Sequence, residues 1–168
     1  MIPAVAQTLA EILAGGTSLI AMDAIDFDRP SAEGRGPRLN LYCYDVRENA
    51  ELQQSQSQTD GAIVIWYDLS FVLTAWDYTA LGEQRLLSEA LTLLLPHPFL
   101  PEAQLDPALR RKGALPMKIS VVDLSDKAAL WRALGVPLRP GLYVTVSVPI
   151  AVEKQAAIGN STSFTSTP

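Results

Sequence analysis

The sequence predicts an α+β domain in which helices flank a mostly antiparallel sheet of about five strands. Residues 63–76 alternate almost without a break between apolar and mixed side chains, which is the pattern of a long strand packed on one face. Strand-like and helix-like segments do not follow one another in regular alternation, which argues against a parallel sheet with crossover helices. With 168 residues, 48% of them hydrophobic, the chain is large enough for one domain with a full core.

The N-terminal part of the chain predicts one helix and two strands before the long strand. Pro3 suits the first turn of the helix, and the pair Gly15-Gly16 ends it. The two strands are expected at residues 19–27 and 38–46, separated by a loop rich in turn-forming residues. The glutamine- and serine-rich residues 53–60 have nothing to bury, so we expect them to form a flexible loop tip.

The long strand has two unlike faces. The first is wholly apolar and should line the core, whereas the second is half polar and should face water or another subunit. At about 3.3 Å per residue the strand would extend roughly 46 Å, more than the ~40 Å across a compact domain of this size. We therefore expect either a bulge that bends it or an end that projects. The core-facing residues are Ile65, Tyr67, Leu69, Phe71, Leu73 and Ala75, and the others are Trp66, Asp68, Ser70, Val72, Thr74 and Trp76.

The remaining chain predicts further helices and strands and then a polar end. A helix with an apolar stripe is expected from Ala80 to Leu95, where Pro96 ends it. Leu142 to Val148 should form the last strand, with its valines on the core face beside the long strand. The domain should thus occupy residues 1–148, followed by a polar, partly flexible arm at 149–168. Three smaller elements complete the set: a helical turn within 102–112, a strand at 117–124, and a helix at 126–134 that Ser125 caps and Gly135 closes.

Composition argues against several partners and compartments. A formal net charge of −5 and a pI near 4.8 disfavour nucleic acid as a partner. The apolar start of the chain carries Glu11 and has no basic segment, so it does not resemble a signal peptide, and no uncharged apolar run is long enough for insertion into a membrane. We therefore expect a cytoplasmic protein. Cys43 is the only cysteine, which rules out an internal disulfide and suits a small buried side chain.

Residues suited to catalysis or metal binding are sparse. His97 is the only histidine, so a multi-histidine metal site is excluded and any catalytic triad would depend on this residue. Glycine motifs for phosphate loops and nucleophile elbows do not occur. Asp23, Asp26 and Asp28 alternate near a strand end and could bind a cation, although surface acids are the commoner explanation. We expect no cofactor, no metal and no enzyme activity; an enzyme that uses His97 and a neighbouring carboxylate is the weakest alternative.

Four segments, in this order along the chain, resemble a known family. They are residues 39–50 (Leu-Asn-Leu-Tyr-Cys-Tyr-Asp-Val-Arg-Glu-Asn-Ala), 68–76, 83–101 and 130–144. Together they resemble the cap, or tail-terminator, proteins of extracellular contractile injection systems, and the resemblance covers about residues 1–152. It implies a phage tail-terminator-like fold and a structural role in which six copies close the distal end of the inner tube and engage the last sheath ring. The implied partners are therefore other copies of the chain in a homohexamer, the tube protein and the sheath protein.

The interface with a neighbouring protomer or with the tube is expected at one end of the predicted sheet. Tyr44, Arg47, Glu48 and Asn49 lie at a strand end, where a loop can reach a partner, although a local salt bridge is the alternative for Arg47 and Glu48. Trp66 and Trp76 place large apolar groups on the wetter face of the long strand, which marks a contact surface. A peptide- or small-ligand-binding module that uses these two tryptophans is the alternative to the assembly role.

The contact with the sheath is expected in the C-terminal arm. Pro149, Ile150, Ala151 and Val152 remain β-prone after the last predicted strand. An extended segment of this kind can add to an exposed sheet edge, with main-chain hydrogen bonds for affinity and alternate side chains for specificity. A simple frayed terminus is the alternative.

Overall fold

A single sheet forms the centre of the computed structural model, which describes residues 1–16, 21–31, 34, 36–54, 62–120 and 123–153. The strands are β1 (Ile25–Asp26), β2 (Arg38–Glu48), β3 (Ala62–Trp76), β4 (Met117–Ser120) and β5 (Leu142–Glu153), and the helices are α1 (Ile2–Gly16), α2 (Ala50–Gln54), α3 (Ala80–Leu94) and α4 (Leu124–Leu134). The strand order is β1-β2-β3-β5-β4, and only β1 and β2 run parallel. The predicted α+β fold with a mostly antiparallel, five-stranded sheet is therefore confirmed.

The first face of the sheet packs against α1 and α3. The core-facing residues of β3 from Leu69 to Ala75 are almost fully buried in one cluster with apolar residues of both helices. β5 lies beside β3 in an unbroken antiparallel register, so that Val144, Val146 and Val148 enter the same cluster. The predicted core face of the long strand and the predicted place of the valines are both confirmed. The helices contribute Ala4, Val5, Leu9, Ala10, Ile12, Leu13, Leu86, Leu87, Ala90 and Leu94.

The second face of the sheet is covered at the same end by α4. Trp131 of this helix packs against Val72 and Tyr143, and its indole N–H donates a hydrogen bond to the Tyr143 hydroxyl at 3.0 Å. Gly135 ends α4 in a left-handed conformation, with φ of 71°, as predicted. The expectation that the whole second face is wet or shared with another subunit is therefore wrong around Val72, because α4 buries it within the chain.

A bulge in β2 changes which residues face which side of the sheet. The register with β3 shifts between Cys43 and Asp45, so Tyr44 is the extra residue. Before the bulge the odd-numbered residues, such as Leu41, face the core. After it Asp45 and Arg47 lie opposite Ser70 and Asp68 on the second face. The long strand β3 was expected either to carry a bulge or to project at one end. The bulge lies in β2 instead, and β3 pairs with β5 without interruption.

The last strand is longer than the sequence predicts. We expected it to end at Val148, but β5 pairs with β3 up to Glu153, which lies opposite Ala62. The amide N–H of Ser147 donates to the Pro116 carbonyl, away from β3, so the nitrogen of Pro149 also faces away from β3. A proline is tolerated there because no ladder hydrogen bond is lost. Residues 154–168 lie outside the described residues, and a separate role for the arm from residue 149 stays a prediction.

Three smaller expectations are wrong. The strand expected at 19–27 is reduced to β1, with a 3₁₀ turn at Met22–Ala24, because further parallel pairing would bring Asp23 opposite Pro37, which has no amide hydrogen. α4 begins at Leu124 with Asp123, not Ser125, as its N-cap, so the strand expected to end at Leu124 is also too long. Most of the glutamine- and serine-rich loop, residues 55–60, and residues 17–20 and 121–122 lie outside the described residues.

Candidate assembly interface

Towards one end the sheet is only partly covered. Val148 still belongs to the core and α2 contacts β3 beside the buried Trp66, but Ile63, Val64 and Val152 are exposed. We call this part the outer end and define it as residues 45–48 of β2, 62–68 of β3 and 147–153 of β5. On its first face, Ile65 and Ile150 are half-buried, and the paired residues Ile63 and Val152 are exposed. Apolar side chains grouped on an uncovered sheet face are typical of a surface that contacts another molecule.

Both edges of the outer end lack a neighbouring strand among the described residues. β1 pairs only with Leu39 and Asn40, and β4 pairs only with residues 143–146. The bulge at Tyr44 interrupts the β2 edge, and Pro149, without an amide hydrogen, interrupts the β5 edge. Such interruptions disfavour the addition of another strand, so the two faces of the outer end are its better contact surfaces.

The second face of the outer end, together with α4, forms an open polar hollow of about 760 Å³. The carboxylate of Asp68 links the segments that form the wall of this hollow. It accepts hydrogen bonds from Asn49 Nδ2 at 2.9 Å and from Ser147 Oγ at 2.5 Å. These donors come from the end of β2 and from β5, so Asp68 joins three neighbouring segments. The charged residues of the hollow are Asp45, Arg47, Asp68, Lys118, Asp123 and Asp126.

Tyr44, a predicted interface residue, lines this hollow. Its ring packs edge-on against Tyr143, with ring centroids 6.2 Å apart. Burial raises the pKa of Tyr44 above its ordinary value of 10.0, and a hydrogen bond with the Ser70 side chain acts in the opposite direction. The neutral phenol is therefore favoured, and the bulge holds it at the wall of the hollow.

Arg47, Glu48 and Asn49 do not act as one group. Arg47 is exposed over 78% of its side chain and forms an ion pair with Asp45, whereas Glu48 points to the opposite face of the sheet. Asn49 has a structural role, because its side-chain oxygen accepts from the Leu52 N–H at 2.9 Å and so caps the start of α2. A local salt bridge was considered between Arg47 and Glu48, but Arg47 pairs with Asp45 instead. Contact with a partner stays a prediction for all three residues.

Trp66 is buried, with 6% of its surface exposed. Its backbone is held from both sides, since its carbonyl accepts from the Asn49 N–H at 2.8 Å and its N–H donates to Gln53 Oε1 at 3.3 Å. The indole nitrogen has no hydrogen-bond partner among the described residues. Trp66 therefore packs inside the outer end and exposes little surface to a partner.

Trp76 lies at the opposite end of β3, where it is half-buried. The guanidinium of Arg139 stacks on its ring at 3.2 Å from the centroid, and the same group pairs with Glu83 at 2.7 Å. Gly34 lies against the other side of this region, since a side chain there would collide with the indole. Trp76 thus helps to fasten the loop before β5 to the start of α3.

The tryptophan pair does not form a single ligand platform. Ten residues of extended strand separate Trp66 from Trp76, which corresponds to about 33 Å. One is buried, and the other is covered by Arg139. Nothing in the structure supports the ligand-binding alternative.

The residues considered for catalysis or metal binding are dispersed. His97 is half-buried after α3, where its backbone N–H donates to the Leu94 carbonyl at 3.1 Å. Asp26 pairs with Arg38 at 2.7 Å instead of joining Asp23 and Asp28. Within the described ranges, no group of three or more potential metal ligands occurs, and no helix is long and apolar enough to cross a membrane.

Sequence reasoning did not single out two residues that hold the structure together. Arg139 lies within the segment 130–144 that carries the family resemblance, and that segment was the available signal for it. Asp68 is the only charged residue of a mostly apolar and aromatic strand, where a carboxylate requires donors. Its donors come from residues 19 and 79 positions away, which no local pattern reveals.

The fold of this chain is similar to that of two solved structures. The fold matches the sheath/tube terminator of the extracellular contractile injection system PVC in its extended state, with a TM-score of 0.70 and 19% identity over 100% of this chain and 63% of that chain. It also matches the tube-terminating cap of the anti-feeding prophage, AFP, with a TM-score of 0.65 and 16% identity over 98% of this chain and 60% of that chain. The chain thus spans less than two thirds of the length of either protein.

The family assignment rests on the sequence itself. The Pvc16 N-terminal domain family matches residues 4–161, which is nearly the whole chain. The chain belongs to this family. A search of curated proteins finds no significant match.

Proposed function

We propose that this chain is a structural cap that terminates the inner tube of an extracellular contractile injection system and contacts the terminal sheath ring. The observation that carries the proposal is the fold likeness over 98–100% of the chain to a sheath/tube terminator and to a tube-terminating cap. Membership of the Pvc16 N-terminal domain family supports it independently of the structure.

The proposed role is non-catalytic. A cap stabilises an assembly through complementary surfaces and needs no nucleophile, base or cofactor. The dispersed positions of His97 and the aspartates around Asp26 agree with that role. The uncovered outer end, with Ile63 and Val152 exposed, supplies the surface that an assembly protein requires.

The proposed partners are the tube protein, the sheath protein and other copies of the chain in a hexameric ring. A ring of six is what the resemblance to cap proteins implies, and most homo-oligomers have closed symmetry. The chain would remain in the cytoplasm until it joins the particle. No contact with nucleic acid or membrane forms part of the proposal.

Tube termination is tested by deleting the gene from cells that assemble the particle and measuring tube lengths by electron microscopy. We expect a broader length distribution and open tube ends, and the full-length chain supplied from a plasmid should restore both. An affinity-tagged copy should be found at one end of each tube. Unchanged lengths together with a tag that is absent from purified particles would contradict the proposal.

The sheath contact at residues 149–152 needs a truncation that spares the sheet. Deletion from residue 149 would also remove five ladder pairs with residues 62–66, so it cannot separate folding from contact. A chain ending at Glu153 keeps β5 complete and serves as the matched control. If residues 149–152 bind the sheath, polar substitutions at the half-buried Ile150 and the exposed Val152 should lower sheath retention, whereas the Glu153 truncation should not. Equal retention in both variants would show that these side chains are dispensable.

A further inference from the structure

A basic turn stands on the side of the molecule opposite the hollow. Arg110, Arg111 and Lys112 form three consecutive cations in a chain of net charge −5. Arg110 and Arg111 are exposed, and no ion pair of the three occurs among the described residues. Three adjacent cations repel one another, so an anionic partner would stabilise the arrangement.

The turn is held rigidly. Leu109 is fully buried in the core cluster, and the Arg110 Nε donates to the Leu105 carbonyl at 3.3 Å. At the base of the turn, the Asp106 N–H donates to Thr8 of α1 at 3.0 Å. Arg111 is the only non-glycine residue with positive φ, 67°, in the described part of the chain. A strained conformation at an exposed basic residue is retained where the surrounding fold fixes it, which presents the charges in one geometry.

The hollow has the complementary sign. It contains four aspartates against two basic residues, and Asp45 is already paired with Arg47. Asp123 and Asp126, at the start of α4, are exposed and form no ion pair among the described residues. Their carboxylates are therefore available to cations from another molecule.

The two surfaces lie on opposite sides of the sheet. The basic turn packs on the first face, beside α1, whereas the hollow lies between the second face and α4. The basic turn and the hollow of the same copy therefore cannot contact each other. A contact between the basic turn of one copy and the hollow of another uses a different patch on each copy. Such head-to-tail contacts generate a closed ring when the rotations from copy to copy add up to a full turn.

We propose that the basic turn of one copy docks into the polar hollow of the next copy, with Arg110, Arg111 and Lys112 facing Asp123 and Asp126. The inference rests on the proposed function, since it supplies the contact between neighbours in the ring. Complementary charge on the two surfaces favours this pairing over contacts between like surfaces. Because the charges are exposed, the contact should weaken as ionic strength rises.

Charge reversal with exchange of partners tests the contact. The turn variant carries Arg110→Glu and Arg111→Glu, and the hollow variant carries Asp123→Lys and Asp126→Lys. Each alone should associate about tenfold more weakly than the parent chain, as measured by sedimentation velocity or by the number of caps per purified particle. Mixing the two variants should restore association, because every turn then meets a hollow of opposite sign. Asp23→Lys with Asp28→Lys changes the charge equally at exposed positions outside the hollow and should have no effect.

Zero-length crosslinking in purified particles gives a second measurement that depends on no substitution. A carbodiimide should join Lys112 to Asp123 or Asp126, and mixed isotope labelling should show that the bond links two copies. Thermal melting of each variant separates lost folding from lost contact. The inference is overturned if both variants associate like the parent, if mixing restores nothing, or if the crosslinks join other surfaces. If the inference fails but the chain is still found at the tube end, the proposed function is unaffected. If the parent chain is absent from purified particles, the proposed function is also wrong.

Discussion

The two ends of the long strand β3 have different environments. From Leu69 to Ala75 the strand lies between α1 and α3 on one face and α4 on the other, and its core-facing side chains are almost fully buried. From residue 62 to 68 it belongs to the outer end, where Ile63 and Val64 are exposed. The comparison indicates that the covered end contributes more to folding stability, whereas the exposed side chains of the outer end contribute little to the monomer and form the surface that we propose for contact.

The largest expected effect comes from removing the anchor of α4. Trp131→Ala should lower the free energy of unfolding by ~3–5 kcal/mol, because it leaves a cavity beneath the helix and removes a hydrogen bond to Tyr143. Ile63→Ala at the outer end should cost less than ~1 kcal/mol, since that side chain is already exposed. Denaturant unfolding of both variants measures the difference. Similar losses of stability in the two variants would show that the two ends of β3 contribute equally to stability.

A smaller effect is expected for the cluster that closes the covered end. Arg139→Ala should cost ~1–3 kcal/mol, because it removes the stacking on Trp76 and leaves the half-buried Glu83 without its cation. Arg139→Lys should recover only part of this loss, since a lysine cannot stack its charge as a planar group. The thermal transitions of the two variants provide the measurement. Full recovery in the lysine variant would mean that charge alone matters.

Substitutions at the outer end should affect assembly more than they affect the stability of the fold. Arg47→Ala with Glu48→Ala should change the free energy of unfolding by no more than ~0.5 kcal/mol, because the Arg47 side chain is exposed and water screens its ion pair with Asp45. Ring formation should nevertheless be impaired if these residues meet a partner. Arg85→Ala with Glu89→Ala removes an exposed pair of the same charges from α3 and serves as the control. If the double variant melts earlier and assembly is lost only as a consequence, the local structural role is the correct one.

The smallest expected effect concerns pH. Burial raises the pKa of Tyr44, so the folded state favours the neutral phenol. The associated stability is complete below the ordinary pKa of 10.0 and is lost as pH rises through the higher pKa of the folded state. Tyr44→Phe should therefore show a shallower loss of stability above pH 10 than the parent chain in alkaline unfolding, whereas Tyr78→Phe at an exposed position should not. Identical profiles would show that Tyr44 does not contribute.

Local pattern was sufficient for most of the fold. Alternation over residues 63–76 predicted β3 and its core face, and helical spacing with Pro96 and the glycine pair at 15–16 agrees with α1 and α3. The polar residues of the candidate interface were harder to interpret. Arg47 was expected to act with its neighbour Glu48, but a strand points adjacent side chains in opposite directions, and the bulge brings Arg47 beside Asp45.

The sequence by itself determined the fold class, the order of the main elements and the faces of β3 and β5 that line the main core, because those properties depend on the spacing of side chains within a few residues. Only the tertiary structure decided that α4 covers Val72, that Arg139 lies on Trp76, and that Asp68 joins Asn49 to Ser147. These contacts join residues far apart in the chain, and they depend on how whole elements pack. The uncovered outer end has the same origin, because a strand pattern does not show where the helices that cover it stop.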